Sequence, residues 1–344
     1  MLPFLFDSLH GWAALVFAVA MGLLLLMALW IDSRWGEPRA ALHPVVWMGK
    51  YLEACGRVTA QREPWLAFML GALTWIVGAG LVGLLADGFQ ALVFGEIEKL
   101  LATSTGTLSG LNFWGLLWLL PALVICAVWL KSMLSWRMLK AETAAVETAL
   151  QQSLQAGRDR LSWLVSRDTT HLSESEVRES AIESLAENLN DSVVAPIFWF
   201  VLLGLPGAVV YRFANTADAM WGYRNPRWEW AGKWAARADD VLSWIPARLT
   251  AALLVLVGGG FKLPTLRLQA RRTPSPNSGW PMAAMALILN VSLHKPGVYV
   301  LNAGGREPQV DDTARAIAYA SKVLVVLVVI ALTAILLIAI RAVK

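Results

Sequence analysis

Three carboxylates spaced four residues apart form the most chemically suggestive pattern in the chain. Glu183, Glu187 and Asp191 share one face of a predicted helix, because side chains four residues apart lie one above the other, and Asn188 adds an amide beside them. An apolar run begins directly afterwards, at Val193. Mg²⁺ prefers one or two carboxylates together with phosphate oxygens, so we predict a Mg²⁺ site made by the three carboxylates. A solvated acidic face is the alternative.

Three further polar clusters lie beside apolar sequence. Their candidate functional side chains are Asn215, Asp218 and Arg224 in residues 215–225, Asp239, Asp240 and Arg248 in residues 237–250, and Arg271, Arg272, Ser275 and Asn277 in residues 271–281. Ionisable residues at membrane depth are functional candidates by default, and a structural ion pair between Asp218 and Arg248 is the alternative. The third cluster has the arginines and small polar groups that hold a phosphate, although a plain turn has the same composition.

His43 lies between the first apolar run and Pro44. A lone histidine beside a proline is more often a capped or surface residue than a catalytic one, and we keep it as a candidate for substrate binding. The sequence has no G-x-x-x-x-G-K-[ST], no G-x-S-x-G and no H-E-x-x-H motif, so the common soluble nucleotide-binding folds have no support.

Composition indicates a polytopic membrane protein. Of the 344 residues, 57% are hydrophobic and only 16% are charged, the mean hydropathy is +0.55, and there are 18 tryptophans. Soluble domains have about 25% charged residues, and tryptophans gather at membrane interfaces. Two cysteines exclude a disulfide framework, and the absence of a basic run gives no reason to expect nucleic acid as a partner.

Uncharged runs predict four to six spans. They cover residues 11–31, 64–86, 111–130, 192–211 and 323–340, with a weaker run at 241–261 that Arg248 interrupts. The loop at 32–63 has five Lys and Arg, the segment 131–191 has seven, and the loop at 87–110 has one. By the positive-inside rule the N-terminus is outside, and 32–63 and 131–191 are cytoplasmic.

The predicted fold is all-α, a single helical membrane domain over residues 1–344. Within it, 131–191 is a cytoplasmic helical insertion and 192–300 is a motif-rich active-site region. The insertion should contain a helix over about 131–156 that ends near Gly157, and a second that begins at Ser173, where Glu176 completes a capping box. The run 192–213 breaks at residues 204–207, and we expect a re-entrant hairpin, with a kinked span as the alternative.

Six stretches of the sequence, in this order, resemble the CobD/CbiB family of cobalamin biosynthesis. They are HPVVWMGKYL (43–52), SRDTTHLSESEVRESAIESLAENLNDSVVAPIFW (166–199), NTADAMWGYRN (215–225), ADDVLSWIPARLTA (238–251), SPNSGWPMAAMA (275–286) and HKPGVYVLN (294–302). No single stretch is a general motif, but several in register are specific, and together they cover nearly the whole chain.

The resemblance implies an adenosylcobinamide-phosphate synthase of the bacterial inner membrane with its active site facing the cytoplasm. Such an enzyme joins adenosylcobyric acid to (R)-1-amino-2-propanol phosphate, or to ethanolamine phosphate, with ATP and Mg²⁺. Membrane lipid and other cobalamin-assembly enzymes at the membrane would be its further partners. The distribution of roles among the residues is our own inference. Catalysis is assigned to Glu183, Glu187, Asp218, Asp239, Asp240 and Arg248; metal binding to Glu183, Glu187 and Asp191; substrate or phosphate binding to His43, Arg167, Asn188, Asn215, Arg224, Arg271, Arg272, Ser275 and Asn277.

Two other classes of function remain open at this point. A non-enzymatic membrane regulator of the AmpE-like kind would not need carboxylates, amides and arginines gathered at one depth. A corrinoid transporter would share the broken helices and intramembrane polar residues, but no inverted repeat is visible in the sequence.

Overall fold

The computed structural model describes residues 12–103, 113–260 and 263–343 and is almost entirely helical within them. The helices are α1 (Trp12–Trp35), α2 (Pro44–Thr59), α3 (Pro64–Thr103), α4 (Phe113–Ser132), α5 (Trp136–Gln152), α6 (Leu154–Leu161), α7 (Glu174–Leu189), α8 (Ala195–Trp221), α9 (Lys233–Leu242), α10 (Trp244–Gly258), α11 (Leu263–Ala270), α12 (Gly279–Leu289) and α13 (Val310–Val343). A short 3-10 helix covers Ala40–Leu42, and a π-helical turn covers Asn190–Val194 between α7 and α8. The all-α prediction is confirmed.

Five stretches of helix within the described residues are long and apolar enough to cross a bilayer. They are Ala14–Trp35, Pro64–Ile97, Leu119–Gln152, Glu174–Trp221 and Val310–Arg341, and a sixth results if α9 and α10, bent by 44°, are taken as one. These match the predicted runs, although residues 11, 111, 112 and 261 of those runs lie outside the described residues. With 40 residues, α3 is about 60 Å long at 1.5 Å per residue, twice the hydrocarbon thickness of about 30 Å.

The chain forms two compact units. The first comprises the described residues up to Ser135 together with Pro196–Asp239 and the segment from Val329 onward. In it, α4 packs against α1 and α3, and α2 packs against α3. The second unit comprises Trp136–Ala195 and Asp240–Val328. Its α7 packs against α5, α6 and α12, and α12 also packs against α10 and α11.

The predicted backbone break in residues 192–213 is present at Gly204. This residue has φ +72° and ψ −159° within α8, a conformation that is readily accessible only to glycine. The freed backbone amide of Leu205 donates to Oε1 of the buried Gln90 at 2.8 Å. A side chain of α3 therefore satisfies the donor that the break releases, as the low dielectric of a membrane requires.

The predicted helix over 131–156 is wrong in its bounds. The chain leaves the helical conformation at residues 133–135, and α5 ends at Gln152, because Ser153 accepts a hydrogen bond from the amide of Ala156 and caps a new helix. Gly157 lies inside α6 and does not end a helix. A Cβ there would lie 2.6 Å from a methyl carbon of Leu150, so glycine permits α6 to pack closely on α5.

The capping box at the start of α7 is confirmed. Ser173 Oγ accepts from the amide of Glu176 at 3.3 Å, and Glu176 Oε2 accepts from the amide of Ser173 at 2.7 Å. Inside the second unit, the buried Arg178 of α7 pairs with Glu147 of α5 at 2.9 Å. These contacts fix where α7 begins and which way its faces point.

A short hairpin, which sequence patterning did not reveal, follows α12. Strand β1 (Leu293–Lys295) pairs antiparallel with β2 (Tyr299–Leu301), so that Lys295 lies opposite Tyr299. The turn has Pro296 at its second position and Gly297 at its third with φ +71°, as a type II turn requires. The hairpin packs on α7.

Candidate active site

The predicted acidic face of α7 lines a cavity of about 160 Å³ in the second unit. The polar side chains around it come from α7, from the loop before it, and from the hairpin; they are Ser166, Arg167, Ser180, Glu183, Ser184, Glu187, Asn188, Lys295 and Tyr299. Four residues singled out in the sequence, Arg167, Glu183, Glu187 and Asn188, are thus brought together. The hydrophobic part of the wall includes Leu164 and Met282.

Glu183 and Arg167 form the central ion pair of this cavity. Arg167 Nη2 lies 2.8 Å from Glu183 Oε2 and donates to Ser180 Oγ at 2.6 Å. Glu183 is only 4% exposed. Its Oε1 and the Nη1 of Arg167 are buried without a hydrogen-bond partner among the described residues. Because buried polar atoms are normally satisfied, the cavity has polar groups available to a ligand.

Tyr299 closes the cavity from the side of the hairpin. Burial, together with the negative charge of Glu183 and then of Glu187, raises the pKa of its phenol. The phenol therefore stays protonated at neutral pH and is a hydrogen-bond donor. Lys295, its cross-strand neighbour, adds positive charge near Glu183. The cavity combines two carboxylates, two cations and neutral donors, a set that can hold a phosphate group and a metal ion together.

A larger cleft of about 700 Å³ lies beside this cavity and shares Lys295 and Tyr299 with it. It runs between the first turns of α7 and the hairpin, and its wall includes Glu176, Glu179 and His294. Ligand sites commonly have volumes of about 300–1,000 Å³, so the cleft has the size of a substrate site. The smaller cavity has the size of a phosphate-bearing group.

The predicted cluster of three carboxylates does not form. Among the described residues, no group of three or more Asp, Glu, His or Cys side chains could hold a metal ion. Two causes are visible. Glu183 pairs with Arg167, and Asp191 lies in the π-helical turn, whose wider winding ends the four-residue repeat that would have put it below Glu187. Asp191 accepts instead from Asn190 Nδ2 at 2.8 Å.

A second polar group in this unit centres on Arg248 of α10. Its guanidinium donates to Asn277 Oδ1 at 2.8 Å and to the carbonyl of Pro276 at 3.1 Å. It also stacks over the rings of Trp244 and Trp280. The acceptors of these hydrogen bonds are neutral carbonyl and amide oxygens.

Asn277 links Arg248 to the end of α9. Its Nδ2 donates to the carbonyl of Asp240 at 2.8 Å, its Oδ1 accepts from Arg248, and the side chain is buried. Ser275 Oγ accepts from two backbone amides of the same turn. Arg272 donates to the carbonyl of Val300. Direct phosphate binding by Asn277 stays a prediction; in this structure its Oδ1 and one N–H of its amide group are bonded within the protein.

Five of the remaining candidates lie in the first unit. Asn215 and Asp218 are half-buried on α8, and Arg224 is exposed in the loop after it. Asp239, near the end of α9, is half-buried. His43 is the N-cap of α2, where Nδ1 accepts from the amide of Val45. The capping interpretation of His43 is the one that the geometry supports. In the second unit, Asp240 is half-buried near the end of α9 and Arg271 is exposed, and neither is among the described residues that line the two cavities.

The comparisons with known proteins agree with the stretches found in the sequence. A family model described as CobD/Cbib protein matches residues 25–329. The chain belongs to this family. The proteins of the family are cobalamin biosynthesis proteins, and the long apolar helices of this member are those of a multi-pass membrane protein.

Curated relatives cover most of the chain. A protein of Pyrococcus furiosus named "Probable cobalamin biosynthesis protein CobD" is 38% identical over 297 residues, 86% of this chain and 93% of the relative. A relative of the same name from Methanothermobacter thermautotrophicus is 42% identical over 80% of this chain and 85% of its own length. "Cobalamin biosynthesis protein CobD" of Halalkalibacterium halodurans is 36% identical over 82% of this chain and 84% of its own. No solved structure matches the chain.

Sequence reasoning missed Lys295 and Tyr299 as site residues. The stretch 294–302 was one of those that resemble the family, which was the available signal. Its residues follow the acidic helix by more than a hundred positions, and no helical spacing relates the two. Only the packing of the hairpin on α7 brings them together.

Proposed function

We propose that this protein is an ATP- and Mg²⁺-dependent adenosylcobinamide-phosphate synthase, which joins adenosylcobyric acid to (R)-1-amino-2-propanol phosphate in an amide bond. Membership of the CobD/Cbib family supports a role with corrinoid substrates. The single observation that carries the proposal is the cavity where Arg167, Glu183, Glu187 and Tyr299 meet.

The chemistry requires an activated carboxylate. A carboxylate resists attack by an amine, so ATP must first convert it into an acyl phosphate, with ADP as the leaving group. The amine then attacks the carbonyl carbon and phosphate leaves. Positioning and charge neutralisation supply most of the rate in phosphoryl transfer. Arg167 and Lys295 are the cations that would neutralise a transferring phosphate, and Tyr299 donates to an oxygen of it.

The side chains around the cavity fit a Mg²⁺ ion shared with phosphate oxygens. Glu183 has a buried Oε1 that lacks a hydrogen-bond partner among the described residues, and Glu187 and Asn188 line the same cavity. Two carboxylates with phosphate oxygens are a normal Mg²⁺ environment. When bound, Mg²⁺ would supply charge stabilisation to the phosphate oxygens. The residues themselves hold and orient the ligand.

The cavity volume favours the small phosphate-bearing groups as its occupants. At about 160 Å³ it is below the range of about 300–1,000 Å³ typical of larger ligands, so a terminal phosphate or the amine phosphate fits and a corrin ring does not. Aminopropanol phosphate and ethanolamine phosphate differ by one methyl group. Such a difference contributes only about 1–3 kcal/mol to selectivity, and a competition between the two amines would measure it.

One assay tests the reaction. The full-length protein, purified in detergent, is incubated with ATP, Mg²⁺, adenosylcobyric acid and aminopropanol phosphate, and mass spectrometry measures the amide. We expect amide that depends on ATP and is abolished by EDTA. A membrane regulator or a corrinoid transporter forms no amide, so folded protein that yields none under these conditions would refute the synthase.

We also propose that the active site faces the cytoplasm of the inner membrane, where ATP is found, and that residues 192–213 re-enter on that side. Asn225→Cys, in an exposed loop after α8, can be tested in intact cells in a chain whose Cys55 is replaced by Ser. An impermeant thiol reagent added outside should leave it unmodified. Labelling from outside would mean that 192–213 spans the membrane and that the hairpin interpretation is wrong.

A further inference from the structure

The larger cleft contains a histidine that a buried glutamate holds in place. Glu179 Oε2 accepts a hydrogen bond from the backbone amide of His294 at 2.7 Å and lies 2.8 Å from the ring Nδ1. Glu179 is 2% exposed, whereas the side chain of His294 is 39% exposed and borders the cleft. The carboxylate of α7 thus fixes both the main chain and the ring of this residue of β1.

This contact determines which ring nitrogen is free. An ionised carboxylate only accepts hydrogen bonds, so the proton of the neutral imidazole is on Nδ1 and Nε2 has the lone pair. Among the residues that the structure describes, Nε2 has one weak hydrogen-bonding neighbour, Ser292 Oγ at 3.4 Å. In this arrangement a carboxylate is hydrogen-bonded to one ring nitrogen of the histidine, and the other nitrogen is accessible. Proteins use it to make histidine a general base.

The step proposed above needs such a base. The amine of the substrate is protonated at neutral pH, and an ammonium nitrogen has no lone pair with which to attack. We propose that His294, oriented by Glu179, removes this proton. The inference rests on the proposed function. Nε2 takes a proton from the ammonium group, and the amine nitrogen forms the bond to the acyl carbon. The bond from that carbon to the phosphate oxygen breaks as phosphate leaves with the electron pair. The nitrogen loses its second proton to the departing phosphate, which leaves as hydrogen phosphate.

Other charged groups of the cleft are arranged consistently with this assignment. Glu176 and Glu179 approach His294 from α7, Glu307 lies on the wall of the cleft after the hairpin, and Lys295 is next to His294 in β1. Three carboxylates favour an ammonium group in the cleft. Lys295 borders the smaller cavity as well, where it is placed to meet the phosphate of the same substrate.

Hydroxylamine separates activation of the carboxylate from deprotonation of the amine. It is uncharged at neutral pH and traps acyl phosphates as hydroxamates without a base. In wild type, with ATP, Mg²⁺ and the corrinoid acid, we expect hydroxamate from hydroxylamine and amide from aminopropanol phosphate. If wild type forms neither product, the proposed function fails, independently of His294.

In His294→Gln we expect hydroxamate formation within about twofold of wild type and amide formation reduced by about 10²–10⁴ at pH 7, the usual contribution of a general base. The residual amide rate should rise about tenfold per pH unit as free amine becomes more abundant.

Glu179→Gln should show the same pattern with a smaller loss of amide, as expected of a positioning residue. His171→Gln, a substitution at an exposed histidine outside the cleft, is the matched control and should change neither rate.

Two results would overturn the assignment. Amide formation at the wild-type rate by His294→Gln at pH 7 would show that no base is needed there. Equal loss of hydroxamate and amide would show that His294 serves folding or activation and not the amine.

Discussion

The first unit holds Asp32, Glu37, His43 and Lys131 in one ion-pair network, and the second holds Arg167 and Glu183 in another. Lys131, 1% exposed, lies 2.7 Å from Glu37 and 3.5 Å from Asp32, and Glu37 lies 2.9 Å from His43. Both networks bury carboxylates against cations. They differ in whether their charged side chains line a cavity of their own unit.

In the first unit, charge and cavity are separate. Its cavity of about 500 Å³ is lined by apolar and aromatic side chains such as Trp47, Phe89 and Phe213, and the four charged residues are not among the described residues that line it. In the second unit, the ion pair is itself part of the cavity wall. Burial and pairing of a carboxylate therefore do not identify a site. A paired carboxylate that also borders space for a ligand is the stronger candidate for a functional site.

The largest expected effect belongs to the second unit. Glu187→Gln should reduce amide formation by at least about 10², the loss expected when one preorganised electrostatic contact is removed. The thermal unfolding midpoint should stay near that of wild type, because Glu187 is only half-buried. Mass-spectrometric product assays and unfolding in detergent measure the two. Glu174→Gln, at an exposed carboxylate of the same helix, is the control. Wild-type turnover by Glu187→Gln would show that the cavity is not part of the active site.

The reverse pattern is expected for Lys131→Met in the first unit. Removing the cation leaves the buried Asp32 and the half-buried Glu37 beside an apolar group, and breaking a buried ion pair destabilises proteins by about 3–5 kcal/mol. Chemical unfolding should show this loss, while turnover per folded molecule stays close to that of wild type. Lys140→Met, at an exposed lysine of α5, should leave stability unchanged. A catalytic defect in folded Lys131→Met would contradict a purely structural role.

Tyr299→Phe should have a smaller effect on activity. The phenol is a permanent donor at neutral pH, and a hydrogen bond to a charged group contributes about 1.5–3 kcal/mol. We expect turnover to fall about tenfold or more, mainly for the phosphate-bearing substrate, with unfolding unchanged. Unaltered kinetics with either substrate would mean that the hairpin shapes the cavity without contacting the ligand.

The smallest effect concerns pH and the first unit. Burial alone would raise the pKa of Glu37, but hydrogen bonds and charge from His43 and Lys131 outweigh it and lower that pKa below the usual range. A lowered carboxyl pKa stabilises the fold at neutral pH, and this stabilisation is lost as the pH falls through the lowered value. The difference in unfolding midpoint between wild type and Glu37→Gln should therefore shrink below about pH 4. A difference that stays constant with pH would exclude an ionised Glu37.

The parts of the molecule that depend on local sequence could be predicted, and those that depend on packing could not. The apolar runs, the capping box at Ser173 and the break near Gly204 each follow from neighbouring residues, and the structure contains all of them. The same local reasoning located Glu183 and Glu187. It placed Asp191 wrongly on the same face, because no sequence pattern predicted the π-helical turn.

The other wall of the cavity illustrates the limit more sharply. Tyr299 belongs to a three-residue strand, which is too short for an alternating pattern to reveal. Asn277 has a side chain that can bind phosphate, but in the structure it bonds to Arg248 and to the carbonyl of Asp240, both distant in sequence. Residue type indicated that these positions matter, and tertiary contacts decide how.

The bond between Gln90 and Leu205 has a consequence for biosynthesis. The two residues are 115 positions apart, and a ribosome adding about 5–20 residues per second needs roughly 6–23 s to synthesise that length. The side-chain carboxamide of Gln90, whose oxygen accepts this hydrogen bond, is therefore present before the ribosome has synthesised Leu205. If α3 is inserted into the bilayer before α8, the backbone N–H of Leu205 can bond to Gln90 as soon as α8 is inserted, and it need not face lipid without an acceptor. The order of translation thus supplies the acceptor before the donor. In a circularly permuted chain, in which α8 is synthesised before α3, the acceptor would come after the donor.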